Sequence, residues 1–362
     1  MASQPEFTRR RLRKLTNFEE NDLRDMIQPH LVHRPMPSAI SRDSSSSSIG
    51  RLDVLPQELL LEVLDLLDFQ SLSRLSRVSL KGKRAVEALP SYRDVMIHSP
   101  AILGALGATR LLQIHSAALL RHVLLEGQCV SCFEFGAFLF LPTCERVCFD
   151  CLHENLALHM TTVTFAKRWF ALTDDQIGRI PILHSIPGSY CVMWQVTHRQ
   201  IHRLVSIKQL KQLAIDVHGS PENVAKLMPK DSSGMEYNEF HTLRRFHEAP
   251  LEPPGCDLSR LPPDENYVRD KYCGMASIRM PVLTSSGPDY GRLCLGCKYE
   301  ESGHFLGSRP FSAVGDPLPP NMDPARLLLA TLTRLRAKSG FIDHIRECSG
   351  IRRMLHYWGD DF

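Results

Sequence analysis

The sequence predicts a mainly α chain with small β elements: a three-helix unit near the start, then an irregular α+β region gathered around cysteines. Three observations carry this. Residues 52–80 read LDVLPQELLLEVLDLLDFQSLSRLSRVSL, with leucines recurring at helical spacing. The 11 cysteines include several C-x2-C pairs. Apolar runs are short, and Phe135 to Leu141 is of strand length.

The 362 residues suggest two or three units, and a hydrophobic content of 43% is that of a globular chain. A formal net charge of +3 argues against a nucleic-acid partner on composition, because a whole-surface binder carries more positive charge. No run approaches the roughly 18 apolar residues of a membrane helix, so no membrane partner is expected. The polar N-terminus lacks the apolar stretch of a secretory signal. The chain is expected to be intracellular, in nucleus, cytoplasm or both, and there paired rather than evenly spread cysteines favour metal over disulfides. Residues 1–50 read as a disordered basic and serine-rich tail. Arg9-Arg10-Arg11-Leu12-Arg13-Lys14 is a basic run, and Ser44 to Ser48 are all serine. The basic run suits a nuclear import signal or a merely solvated tail.

Residues 51–92 form the first folded unit. Leu55-Pro56 opens a helix where proline fixes φ and gives up only an N–H that has no partner there. Leu55, Leu59, Leu60, Val63, Leu64 and Leu67 keep helical spacing, while Leu61 and Leu66 fall off the stripe. A short helix with apolar residues on two faces is either deeply buried or shared with a partner. Asp68 to Ser71 breaks the pattern, and Ser71 is read as the N-cap of a second helix carrying Leu72, Leu75, Val78 and Leu80. Lys81-Gly82 breaks it again. Ala85, Val86 and Leu89 make a third helix that stops at Pro90. Such a unit is at the lower size limit for a self-sufficient core and gains stability by docking its spare face.

This run resembles the F-box. The family's pattern is Leu-Pro, an acidic residue two on, a Leu pair, Val/Ile-Leu, then Leu…Leu…Val-Ser. Leu55, Pro56, Glu58, Leu59, Leu60, Val63, Leu64, Leu67, Leu72, Leu75, Val78 and Ser79 meet it. One departure is a missing aromatic after the third break, where Lys83-Arg84-Ala85 stands. The resemblance implies that these leucines and their neighbours dock on the Skp adaptor of a cullin-RING ubiquitin ligase.

Residues 93–218 are expected to be a helical region. Pro100 to Leu125 is helix-patterned, with Gly104 and Gly107 as weak points. A cysteine-rich element follows at 129–160, Cys151 to Phe170 again has helical pattern, and 205–217 forms another helix. Residues 219–265, rich in Pro and acidic residues, read as a flexible linker. Residues 266–362 read as a small α+β region: short strands at 272–297 around a Ser-Ser-Gly-Pro-Asp turn, a helix at about 324–338, and another from Phe341.

The cysteines carry the chemistry. Cys129-x2-Cys132 and Cys148-x2-Cys151 flank an aromatic-rich segment that reads as a hairpin, and a helix follows the second pair. Zinc takes four ligands in a tetrahedron, and each C-x2-C turn can aim two thiolates at one ion. The helix N-terminus also favours thiolates. The arrangement is that of a treble clef or zinc ribbon. Cys144 is spare, and His153 is a substitute ligand. A second set, Cys294-x2-Cys297 with His344-x3-Cys348, joins a strand-end knuckle to two residues one helical turn apart. The alternative for His344 and Cys348 is a core-facing pair beside Phe341, Ile345 and Leu355. Cys191, Cys256 and Cys273 are isolated and receive no role.

The runs from Phe135 to Leu152, Tyr272 to Pro281 and Gly291 to Cys297 look like those of a group of filamentous-fungal F-box proteins, which implies an architecture and no substrate. The expected function is a non-catalytic substrate receptor of an SCF-type ligase that binds an unknown protein target. The alternative is a zinc-binding regulator contacting nucleic acid. No G-x-S-x-G, H-E-x-x-H or P-loop motif is present, so no enzyme class is indicated.

Overall fold

The computed structural model describes residues 14–17, 27, 31–35, 47–191, 195–230, 237–248, 251, 272–305 and 331–358. The fold is mainly helical with small antiparallel sheets, as expected. Its first part is a run of short helices: Gln57–Asp65 (α1), Phe69–Val78 (α2), Leu80–Ala88 (α3), Pro90–His98 (α4), Pro100–Ala108 (α5) and Ala117–Leu125 (α6). Three of these six starts have a side-chain cap, from Asp68, Ser79 and Ser116. Pro sits at the first position of α4 and α5.

Several boundaries differ from the sequence reading. Ser71 is not the N-cap of the second helix. Asp68 is: its carboxylate accepts from the Ser71 amide at 2.9 Å and from the Ser71 hydroxyl at 2.7 Å. The break before the third helix lies at Ser79, whose hydroxyl accepts from Gly82 N–H at 3.0 Å. Gly82 is helical and buried. A Cβ there would lie 2.7 Å from the Leu75 carbonyl oxygen, so this glycine serves close packing of α2 on α3 and not a chain break. The Pro100–Leu125 stretch splits into two helices around Arg110, whose φ is +63°. Pro90, read as the stop of the third helix, is instead the first residue of a further helix, Pro90–His98, which runs across the expected boundary at residue 92.

The cysteine-rich element contains strands Phe138–Phe140 (β2) and Glu145–Val147 (β3), then helix Phe149–Glu154 (α7). The preceding strand in the chain, Thr16–Asn17 (β1), pairs elsewhere, as described below. The Cys151–Phe170 stretch is not one helix. Asn155 ends α7 by capping a short 3-10 turn, strand Met160–Thr162 (β4) follows, and Val163–Trp169 (α8) resumes. Asp174–Ile177 (α9), Leu183–His184 (β5), Gly188–Cys191 (β6), Gln195–His198 (β7), Arg203–Ser206 (β8) and Ile207–His218 (α10) complete this region. β8 is the central strand between β4 and β5, and β6 pairs with β7. The stretch read as a flexible linker holds helices Pro221–Ala225 (α11) and Tyr237–Glu248 (α12). Their Val224, Leu243 and Phe246 are buried with Phe170, Leu210 and Leu213 in a second core, which is why they fold. The rest of the proline-rich stretch, including Cys256, lies outside the described residues.

In the last part, Ser277–Arg279 (β9) is followed by the hairpin Val282–Thr284 (β10) with Gly287–Asp289 (β11), then Leu293–Cys294 (β12) and Leu295–Phe305 (α13). Lys338–Glu347 (α14) and Ser349–Trp358 (α15) close it. Of the helix expected at 324–338, residues 324–330 lie outside the described residues, residues 331–333 are helical, and Arg336 makes a β-bridge with Arg292.

Long-range pairing closes the chain on itself. β9 adds to β2, with Leu139 opposite Ile278, and β1 pairs with β12. One core runs from Ile49, Leu60 and Leu64 through Leu106 and Leu124 to Phe138, Leu152, Ile278 and Leu293. Parts of the expected N-terminal tail belong to the fold: Leu15, Ile27, Val32 and Ile49 are buried. The Arg9–Arg13 run and Ser44–Ser46 lie outside the described residues. No helix among the described residues is long and apolar enough to cross a membrane.

Candidate functional site

Helix α1 has two apolar faces with different fates. Leu60 and Leu64, 6% and 0% exposed, enter the core. Leu59, Val63 and Leu66, 48%, 43% and 73% exposed, follow i, i+4, i+7 spacing and form a second row facing outward. Three exposed branched side chains in one row are costly unless something covers them. Of the remaining docking candidates, Leu72 is buried, Leu55, Leu67 and Leu75 are half-buried against the core, and Pro56, Glu58 and Val78 are exposed. The structure therefore separates the family pattern into a packing set and a solvent-facing set. Leu66 was set aside in the sequence as lying off the stripe, yet it is the most exposed of the row. Its spacing from Leu59 was the available signal. Val54, just before the helix, is also exposed.

The first cysteine set is brought together. The ligand atoms of Cys129, Cys132, Cys148 and Cys151 lie within 4.8 Å of one another. Cys132 Sγ is 3.6 Å from Cys148 Sγ, too far for a disulfide. Two thiolates on one tetrahedral zinc with bonds of about 2.3 Å stand about 3.8 Å apart. Each knuckle turns a backbone N–H onto its first sulfur: Ser131 N to Cys129 Sγ and Cys151 N to Cys148 Sγ, both at 3.4 Å. Cys148 is the N-cap of α7, so the second pair sits at the positive end of a helix. The donor set and its spacing fit a tetrahedral metal. Cys144 stands outside the group, and burial pushes its thiol up to about 12. His153 is outside it too. Its carbonyl accepts from the His159 ring at 2.8 Å.

Arg146, in β3, holds this element in place and carries no sequence signal of its role. It is 3% exposed. Its guanidinium donates to the carbonyls of Val123 at 2.7 Å, Gly136 at 2.7 Å, Met280 at 2.9 Å, and Pro281. It thereby joins α6, the knuckle loop and the strand connection after β9. Burial pulls its pKa down to about 9, which leaves it charged at neutral pH.

The second set is also brought together. Cys294, Cys297, His344 and Cys348 place their ligand atoms within 4.8 Å of one another. Cys294 Sγ lies 3.8 Å from Cys348 Sγ, and Cys297 Sγ lies 3.3 Å from His344 Nε2. Hydrogen bonds from Cys294 and Cys297 hold the Cys348 thiol low, while Cys294 and Cys348 push Cys297 up. One detail differs from the sequence reading: Cys348 is not inside a helix with His344 but is the C-cap of α14, with φ −62° and ψ 116°. Two glycines make the approach of the ligand loops feasible. A Cβ on Gly350 would lie 2.0 Å from the Gly296 carbonyl oxygen, and one on Gly296 2.5 Å from Ile351 N.

Residues 52–93 match the family model of the F-box domain. No curated protein and no solved structure matches the chain. The match spans α1, which with its C-cap Leu66 carries the outward row of Leu59, Val63 and Leu66, together with α2, α3 and the start of α4. F-box domains in general join substrate receptors to the Skp adaptor of cullin-RING ubiquitin ligases. The chain carries an F-box domain at residues 52–93.

Proposed function

We propose that the chain is the substrate-receptor subunit of an SCF-type ubiquitin ligase and carries out no chemistry of its own. The observation that supports this most is the split of α1 into a buried row and an exposed row within a matched F-box. The Skp-family adaptor covers Val54, Leu59, Val63 and Leu66, with Pro56, Glu58 and Val78 at its edge. The remainder presents an unidentified protein target, raising the local concentration of its lysines near a charged ubiquitin carrier. Zinc is the metal favoured by a set of four cysteines, and by a set of three cysteines with one histidine. Held by Cys129, Cys132, Cys148 and Cys151, and by Cys294, Cys297, His344 and Cys348, it would act structurally, supplying folding energy. Reduced, metal-holding thiols suit a protein that works inside the cell, in nucleus or cytoplasm.

The test is binding of full-length protein to purified Skp-family adaptor. Leu59→Glu with Val63→Glu puts two charges on the exposed row without touching the core. An interface anchor of this kind contributes about 2 kcal/mol or more, so binding should fall at least tens of fold. A double variant with an unchanged circular dichroism spectrum and unchanged adaptor affinity would overturn the reading.

A further inference from the structure

We infer that the two metal centres form one coupled unit, in which an ion held at either centre tightens the hold on the other. This rests on the zinc reading above. Three connections carry it.

The first is β12. Leu293 belongs to the core of the first centre, while its neighbour Cys294 is a ligand of the second and lies in the third hydrophobic cluster. Adjacent residues of a strand face opposite sides, so one short strand forms a wall of both centres.

The second is the turn before β12. The Asp289 carboxylate accepts from Gly291 N at 3.1 Å, from Arg292 Nη1 at 3.2 Å and from Lys338 N at 2.8 Å. Lys338 opens α14, which supplies His344 and, at its C-cap, Cys348. Gly291 has φ +73°, and a Cβ there would lie 2.6 Å from the ring of Phe135, three residues beyond Cys132. The knuckle of one centre thus packs on the turn that anchors the ligand helix of the other.

The third is residues 333–336. The Thr333 hydroxyl donates to Asp150 at 2.6 Å, and Asp150 lies between Cys148 and Cys151. Arg334 pairs with Glu134 at 3.4 Å, beside Cys132. Leu335 is buried in the first core. Arg336 exchanges two backbone hydrogen bonds with Arg292, at 2.8 and 3.0 Å, directly before β12. Each ligand loop therefore backs onto segments that hold the other. Metal binding at a structural site is folding energy, so a loop that loosens without its ion loosens its neighbour, and the effect is reciprocal.

The experiment uses the full chain loaded with zinc. Native mass spectrometry counts the ions, and a chromophoric zinc chelator follows their release. Cys297→Ser is expected to keep one zinc and release it from the first centre about tenfold faster than wild type, the size of an ordinary coupling. Cys132→Ser should do the same to the second centre. Thr333→Val with Arg334→Ala keeps every ligand; it should hold two ions and release them faster than wild type. Unchanged release from the surviving centre in both cysteine variants overturns the coupling. If Cys297→Ser loses both ions, the Thr333/Arg334 variant decides: wild-type release overturns the proposal, and faster release supports it. A wild-type chain without zinc removes the metal reading as well, whereas two ions leaving independently removes only the coupling.

Discussion

Arg146→Leu tests how the first cysteine element is held. The guanidinium donates to four carbonyls from three separate segments, and it is 3% exposed. Leucine fills much of the volume and donates nothing. Each buried carbonyl left without its donor costs about 1–3 kcal/mol. Against that, the variant spares the desolvation of a charge, so the net sits toward the low end of the sum. Removing one partner from a buried charged network typically costs about 3–5 kcal/mol, and we expect a value in that range. Domains of ordinary stability have about 5–15 kcal/mol in total, so the variant should remain folded only marginally. Arg146→Lys keeps the charge but places its donors on one atom, which cannot span the four acceptors, and should fall between the two. Urea unfolding of zinc-loaded protein, followed by circular dichroism, gives the difference. Hydrogen exchange should show residues 136–147 and 277–282 losing protection together. A loss below about 1 kcal/mol with an unchanged denaturant slope would mean that water or other donors replace the arginine, and the clamp would then not be what joins these segments.

Other expected outcomes follow from single residues. Leu64→Ala, in the core row of α1, should destabilise by about 2–5 kcal/mol, measured by thermal or urea unfolding, whereas Leu66→Ala should leave stability nearly unchanged and weaken adaptor binding. Gly296→Ala should abolish the second metal site, read as the loss of one zinc by elemental analysis, because its methyl would strike the backbone of Ile351. Burial holds His159 down at about 4, below its ordinary value of 6.5, so it is neutral in the fold. Between those values the unfolded chain binds a proton that the folded chain does not, so stability falls on acidification through that window. His159→Gln should flatten that part of the stability curve, and an unchanged acid limb would show that other groups govern it.

The parts legible in the sequence are those fixed by local spacing. Leu60 and Leu64 against Leu59 and Val63 is a helical pattern, and each C-x2-C knuckle is a turn whose geometry is set by four residues. The second metal set was legible only as two candidate pairs, because Cys294 and Cys348 meet through the packing of α13 against α15, which nothing local encodes. What the sequence hid was mostly glycine and charge used for packing. Gly82 read as a break, since the close approach of Leu75 that requires it is tertiary. Arg146 received no role in the sequence, since its acceptors at Met280 and Pro281 lie far along the chain. Polar residues in the stretch around α12 suggested a linker, because the buried face of Leu243 and Phe246 is narrow and its partners come from α8 and α10.

The continuity of the first core bears on the proposed role. An F-box that folded apart from its receptor region would hold a target at the end of a flexible joint, and the effective concentration of target lysines would be diluted over the volume that joint allows. Here the F-box leucines, the helices α4 to α6, the cysteine hairpin and β9 share one hydrophobic cluster. Ala117 N–H donates to the Leu67 carbonyl at 2.9 Å, so the end of α1 is fastened directly to the start of α6. α6 in turn meets Arg146 through Val123, and Arg146 reaches the segment after β9. The outward row of α1 is therefore fixed in orientation relative to the cysteine hairpin and β9 by packing and hydrogen bonds. A target held by that region would meet the ligase at a defined distance and angle, and the metal centres would maintain the geometry of presentation as well as the stability of their own loops.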